Sequence, residues 1–359
     1  MATKEFSPDY TVPPGWVLEE RLESEGISHA EFARRCGRSP KLVSEIISGK
    51  APLEPGTALQ FEKVLGVDAS IWLGIESEYR LHRAREAEAR KAADSAEWGK
   101  AFPVRDLVKR GCFQRPESDI DTVSKLLAFF RVGSVDAWTT RYGVANVAYR
   151  HSPKFKSNEA ALATWLRLGE IEAERQECAD YNESQFRRAV RIIRSLTREP
   201  VVEALRQTTK LCNEAGVALA LIQPLPKTAL SGAAWWLSPK KAVIQLTARH
   251  KSDDHLWFSF FHEAAHILLH SKRGVFVDEI NGNIAEQEIE ANEWASNILV
   301  PKPAWDQFVS SLPRSAHTVR EFAEEQGIAP GIVVGMLQHK GLLPWTHLND
   351  LKVRLNWKS

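Results

Sequence analysis

The chain has 359 residues, enough for two or three domains with their own cores. Its 47 Lys and Arg against 46 Asp and Glu leave a formal net charge of +1, which excludes a global polyelectrolyte. The four cysteines (Cys36, Cys112, Cys178, Cys212) are far apart with no C-x-x-C pair, which argues against a disulfide framework or a cysteine metal site and fits reduced thiols. The first residues carry no hydrophobic signal region and no run approaches membrane-spanning length, so the expectation is a cytoplasmic protein with no membrane association.

Residues 13 to 93 read as compact and helical. Trp16 to Glu25 is a first amphipathic helix, and Ser28 caps a second, with Glu31 at the capping-box position and Phe32 and Ala33 toward the core. Gly37 makes the turn. Ser39-Pro40 then sets an N-cap and a first-turn proline for a third helix that ends at Gly49. Two short helices about a glycine-containing turn predict a helix-turn-helix.

Arg34, Arg35, Arg38, Lys41 and Lys50 cluster around that turn and third helix, where phosphates lie when such a helix enters a major groove. Val43, Ile46 and Ile47 are expected to face the core. Lys41 and Glu45 point outward, Lys41 able to donate to guanine and Glu45 to accept from the cytosine amino group. Ser44, Ser48 and Lys50 suit phosphate contacts, and Leu42 suits a thymine methyl group or plain exposure. The candidate DNA-binding residues are therefore Arg38, Lys41, Ser44, Glu45 and Lys50, and the expected partner is a double-stranded operator.

Residues 11 to 85 resemble the HigA/VapI branch of the lambda-repressor-like helix-turn-helix family. The resemblance is carried by Pro13-Pro14-Gly15, Ser28-His-Ala-Glu-Phe-Ala-Arg34, Val43-Ser-Glu-Ile-Ile-Ser-Gly49-Lys50, Thr57-Ala-Leu59 and Trp72-Leu73. It implies a five-helix domain closed by a Trp-Leu helix, an antitoxin-like repressor and a homodimer. Pro40-Lys41-Leu42 stands where that branch often has Arg and Gln, so the operator sequence does not carry over.

Residues 79 to 100, rich in Arg, Glu and Ala, read as a solvated helix running into a linker closed by Gly99 and Pro103. Residues 103 to 205 read as a helical middle region, with apolar spacing over Val123 to Phe130, Ala160 to Leu168 and Phe186 to Leu196. Its expected role is a spacer, sensor or dimerisation element. From about 213 short β-branched runs appear, Gly216 to Ile222 and Lys241 to Thr247, punctuated by Pro224, Pro226, Gly232 and Ser238-Pro239. They predict a small antiparallel sheet, with Val243 to Thr247 as an edge strand that an extended peptide could join.

Phe258-Ser-Phe-Phe-His262-Glu263-Ala-Ala-His266-Ile-Leu-Leu-His270 carries H-E-x-x-H in an apolar helical run. His262 and His266 fall one turn apart on one face and can reach one ion, with Glu263 beside them to take a proton from an activated water. Ser252 with Asp253-Asp254 predicts the N-cap and acidic first turn, and Lys272-Arg273-Gly274 the stop. His270 reads as a helix C-terminal cation; Arg249, His250 and His255 are other nearby candidates for steadying an oxyanion. A third ligand is required. The run Ile284 to Val300 offers Glu286, Glu288, Glu290 and Glu293. Glu288 shares a face with Ala291, Asn292 and Ala295, whereas Glu286 and Glu290 lie roughly 200° around the helix. Glu288 is favoured, with Glu290 the alternative and Asn292 placed to orient a ligand.

These residues, together with Glu288-Ile-Glu-Ala-Asn292-Glu-Trp-Ala295-Ser-Asn-Ile-Leu-Val-Pro301, resemble the ImmA/IrrE family of metallo-endopeptidases. Trp294 and Val300 replace the family's usual Phe and Met. The resemblance implies His262, His266 and Glu288 as ligands of Zn2+ (or Mn2+), Glu263 as catalytic base, and a helix-turn-helix repressor as protein substrate. Overall the expected fold is mainly α with a small antiparallel sheet. A helix-turn-helix domain (1–94) precedes a helical middle region (95–205), a zincin-like α+β peptidase core (206–305) and a helical extension packing on it (306–359). The expected function is a DNA-binding regulator with a metal-dependent endopeptidase domain that cuts a partner repressor, a toxin or itself. A second reading keeps the repressor and makes the metal domain a non-cutting sensor or scaffold.

Overall fold

The structure, a computed structural model, describes residues 11–150, 159–226, 231–247, 252–270, 284–311 and 315–355. It divides into two compact units, Met1–Ala96 and Glu97–Ser359.

Among its described residues the first unit has five helices: α1 (Pro14–Glu25), α2 (His29–Arg35), α3 (Pro40–Ile47), α4 (Pro55–Leu65) and α5 (Ala69–Asp94). Local chemistry sets their starts. Ser28 Oγ accepts the Glu31 amide and Ser39 Oγ the Leu42 amide, each satisfying a first-turn donor, and Pro14, Pro40 and Pro55 occupy first-turn positions. The reciprocal half of the box at Ser28 does not form, because the Glu31 carboxylate turns instead to Arg34 and Arg35, which hold it below the usual carboxylate range. Leu18, Phe32, Val43, Ile46, Phe61 and Trp72 make the core, with Trp72 edge-on to Phe61 at 5.7 Å. Ile47 is only half-buried. A side chain at Gly15 would collide with the Ile47 backbone, so glycine is what lets α1 and α3 meet this closely. The Arg- and Glu-rich stretch after Trp72 continues α5 without a break to Asp94, laced by pairs such as Arg80–Glu76 and Lys91–Glu88.

The second unit opens near α6 (Ala96–Lys100), followed by α7 (Val104–Lys109), α8 (Asp119–Phe130), α9 (Val135–Arg150), α10 (Glu159–Arg175), α11 (Glu183–Leu196) and α12 (Val201–Glu214). Then come β1 (Val217–Leu221), β2 (Gly232–Ser238) and β3 (Lys241–Leu246), and finally α13 (Asp253–Leu269), α14 (Ile284–Leu299), α15 (Lys302–Ser310), α16 (Ala316–Gln326) and α17 (Pro330–His339). The sheet order is β1-β3-β2, with β1 parallel and β2 antiparallel to β3. It is thus mixed rather than purely antiparallel, and β3 is its centre rather than its edge. The parallel pair follows from a connection long enough to cross over, whereas β2 and β3 are joined by the Pro239-Lys240 turn.

The pleat sorts the sheet into two faces. Val217, Leu219, Ala242, Ile244 and Leu246 join the core of α11 to α17. Ala218, Trp235 and Val243 join the core of the middle helices, with Phe130, Trp138 and Trp165. The middle region is therefore built onto the sheet and does not stand as a separate unit. α10 is buried continuously from Ala160 to Glu170. Gln245 Nε2 donates to the Trp165 carbonyl at 2.7 Å, and only a glycine at 169 leaves room for that side chain. Within α10 the buried Arg167 is held by the Phe129 carbonyl and by Glu170 and Glu174.

The start of α13 is anchored by the C-terminal segment. Ser252 is the N-cap by position, yet its side chain makes no cap bond; the residue bridges to Arg354 instead. Asp253 and Asp254 are buried rather than solvated. Asp253 Oδ1 accepts the Val353 amide at 2.9 Å, and Asp254 Oδ2 meets Lys352 Nζ at 2.7 Å. Burial pushes the Asp253 carboxyl up to about 6. Gly331 and Gly335, one turn apart on α17, face these two carboxylates, and an added Cβ would come within 2.8 and 2.5 Å of their oxygens. Among the described residues no helix is long and apolar enough to cross a membrane.

Candidate metal centre and nucleic-acid interface

α13 and α14 bring His262, His266 and Glu288 together from the two separate sequence motifs. Their candidate ligand atoms all lie within 4.8 Å of one another. The two histidine Nε2 atoms are 3.1 Å apart, and the Glu288 oxygens stand 3.5 Å from His262 Nε2 and 3.4 Å from His266 Nε2. A tetrahedral ion with ligands at about 2.0–2.1 Å has edges of about 3.3–3.4 Å, a spacing close to that of the two Nε2 atoms and of each Nε2 to its nearer Glu288 oxygen, so two imidazoles and a carboxylate stand at the separations a divalent cation uses. Burial by itself raises the Glu288 carboxyl, but the two imidazoles outweigh it by hydrogen bonding and charge and hold it well below the usual range. Ala291 and Ala295 are fully buried on α14, as close packing on the histidine helix requires.

Glu263, next to His262, is buried, and Gly232 at the head of β2 lies against its carboxylate. Neither Gly232 nor β2 was recognised as part of the site from sequence, where Gly232 read as a turn. The signal was there: a run with two tryptophans, bounded by Gly232 and by Ser238-Pro239, one short turn before β3.

Glu290 is not among the converging set. It reaches His270, whose Nε2 lies 3.3 Å from Glu290 Oε2, while His270 Nδ1 lies 2.9 Å from His266 Nδ1. His270 is the C-cap of α13, and burial holds its imidazole below the ordinary histidine value, aided by His266. His262 Nδ1 is buried with no hydrogen-bond partner among the described residues. Asn292 lines a cleft of about 860 Å³ between α13, α14, α15 and α17 and makes no described hydrogen bond to the cluster. That cleft, with His255, Phe258, Trp305 and His339 in its wall, adjoins the histidine helix without including His262, His266 or Glu288. Arg249, His250 and Lys272-Arg273-Gly274 lie outside the described residues.

In the first unit Lys41, Ser44, Ser48 and Lys50 are exposed along α3 and its end. Lys41 Nζ stands 3.8 Å from Glu45 Oε1, so each neutralises part of the other's charge at the outward face. Arg38 is placed differently. Its Nε donates to Gln60 Oε1, tying the α2–α3 turn to α4, and it is half-buried there. Gln60 went unnoticed because its partner is 22 residues away.

Comparison with known proteins agrees with this division. Residues 18–72 match the helix-turn-helix family, and residues 213–335 match the IrrE N-terminal-like domain of the M78 peptidases. Over 81 residues the chain is 33% identical to the HTH-type transcriptional regulator YddM of Escherichia coli strain K12, covering 23% of this chain and 81% of that protein. It is 32% identical over 76 residues to virulence-associated protein I of Dichelobacter nodosus, covering 21% of this chain and 70% of that one. The chain belongs to the helix-turn-helix regulators, and it carries an ImmA/IrrE-type domain. The ImmA/IrrE-type match runs from the end of α12 into α17 and makes the core of the second unit metallopeptidase-like. Helices α6 to α11 fall outside both matched ranges, although α10 packs directly on the same sheet.

Proposed function

We propose that this protein is a DNA-binding regulator whose ImmA/IrrE-type domain is a zinc-dependent endopeptidase acting on a regulatory protein: a partner helix-turn-helix repressor, a toxin or a second copy of the chain. The observation that carries this reading is the convergence of the two Nε2 atoms and the Glu288 carboxylate beside a buried Glu263. His262, His266 and Glu288 hold the metal, zinc or alternatively manganese. When bound, the ion supplies Lewis-acid polarisation of a water and of the scissile carbonyl. Glu263 takes the proton of the attacking water and returns it to the leaving amine. β2, an edge strand that begins against Glu263, takes the extended substrate in place of the central β3. On the DNA side Lys41, Ser44, Glu45 and Lys50 face the groove, and Arg38 shapes the turn that presents them. The resemblance to antitoxin-like repressors supports a homodimer on its operator.

The test is proteolysis. Wild type loaded with zinc or manganese is incubated alone and with the regulators encoded beside it, next to Glu263→Gln. Cleavage by wild type and none by Glu263→Gln is expected. Repression and its relief left unchanged by Glu263→Gln, with no cleavage by wild type, would favour the sensor or scaffold reading instead.

A further inference from the structure

We propose that His270 and Glu290 form a hydrogen-bond relay that locks His266 in the one tautomer able to present its Nε2 lone pair to a metal ion. The inference rests on the metal-site reading above and adds two positioning residues to it.

The argument is one of donors and acceptors. Ionised Glu290 can only accept, so across the 3.3 Å contact His270 Nε2 must carry the proton. A neutral His270 protonated at Nε2 has a bare Nδ1, which can only accept. The 2.9 Å contact between the two Nδ1 atoms then requires His266 Nδ1 to be the donor. With its Nδ1 proton committed to His270, His266 keeps Nε2 turned toward His262 and Glu288, so that a cation entering there displaces the Nε2 proton and takes that lone pair. Each contact dictates the next, and the chain ends at the atom a cation needs. Ligand histidines ordinarily have the second nitrogen fixed by a carboxylate or carbonyl; here an interposed imidazole extends the reach of the carboxylate by one ring.

Placement agrees. His262, His266 and His270 follow one another at four-residue spacing along one face of α13, so His270 meets the outer edge of His266 and not the ligand cluster. Glu290, two residues beyond Glu288, is turned toward that outer edge, with 60% of its side chain exposed against 12% for His270. The relay is one-sided, since the buried Nδ1 of His262 has no such partner among the described residues.

The experiment measures zinc affinity of the full chain by competition with a chromophoric chelator, and the visible spectrum of the cobalt-loaded protein. The variants are His262→Ala, His270→Phe, His270→Gln, Glu290→Ala and Glu290→Gln. His270→Phe keeps the ring volume and removes both nitrogens, and is expected to weaken zinc binding by about 10–100-fold and to shift the cobalt bands. His270→Gln retains one acceptor and one donor and is expected to recover most of the affinity. Glu290→Ala weakens binding, whereas Glu290→Gln, which loses the charge but keeps an acceptor, restores it. Glu290 lies at the surface, so its variants report on the relay even if a change at His270 disturbs folding. Wild-type binding that is abolished in His262→Ala but untouched in His270→Phe and Glu290→Ala would overturn the relay alone. Wild type that takes up no zinc would overturn the metal site and the relay together.

Discussion

Gly232, the first residue of β2, lies against the Glu263 carboxylate, where a Cβ would come within 2.6 Å of Oε1. The strand and the histidine helix approach this closely because that position carries no side chain. Gly232→Ala therefore pushes on Glu263 directly. Misplacing a catalytic group by about 1 Å costs on the order of 100-fold in rate, so kcat/KM is expected to fall by about 10–100-fold while the metal stays bound. Peptidase kinetics beside metal analysis check this; full activity in Gly232→Ala would contradict it.

Glu263→Gln removes the proposed base and leaves the shape. Cleavage is expected to drop by about 100- to 10,000-fold, with zinc content and thermal unfolding close to wild type. A variant that retained more than a tenth of the activity would show that another group moves the proton.

The first turn of α13 carries a pH signature. Burial pushes Asp253 up to about 6, so its ionised form strains the fold above that pH. A carboxyl raised in the folded state favours folding once it is protonated; the contribution is present at low pH and is lost as pH rises through 6, about 3 kcal/mol at full extent. Asp253→Asn is expected to exceed wild type in stability at pH 8, with the difference closing toward pH 4. Denaturant unfolding at the two pH values measures it, and a constant difference would refute the assignment.

Asp254 and Lys352 pair in near-complete burial at 2.7 Å. Lys352→Met strands the carboxylate and is expected to cost about 3–5 kcal/mol, releasing the C-terminal segment from the helix that carries the histidines. Hydrogen exchange at the first turn of α13 follows that release.

How much of this was legible in the sequence differs from one unit to the other. The helices of the first unit announce themselves through Ser28, Ser39 and first-turn prolines, because capping is a local interaction. The choice of Glu288 over Glu290 followed from helical angles; Glu288 lies beside the two histidines, and the angle that set Glu290 aside sends it to His270. Pairing partners distant in sequence were not legible. β3 read as an edge because its neighbour β2, with two tryptophans and no clean alternation, did not read as a strand. The residues that hold Asp253 and Asp254 lie about a hundred positions away, so both appeared to be a solvated acidic first turn. The tie from Arg38 to Gln60 was hidden for the same reason, with Gln60 on another helix.

That last difference can be measured. Lys41→Ala, at an exposed position, is expected to lower the slope of log K against log salt by about 0.9 and leave stability unchanged. Arg38→Ala is expected to cost the first unit about 1–3 kcal/mol through the lost charged hydrogen bond. Gel shifts across salt with parallel unfolding separate the two; equal effects on both readouts would remove the distinction.

The most direct test of the account is the metal content of the purified full chain after zinc loading, for wild type beside His262→Ala and Glu288→Ala. The expected result is about one zinc per chain in wild type and loss from both variants, since removing any one of three protein ligands opens the site. A wild type that holds no metal, or a Glu288→Ala protein that holds as much as wild type, would contradict it.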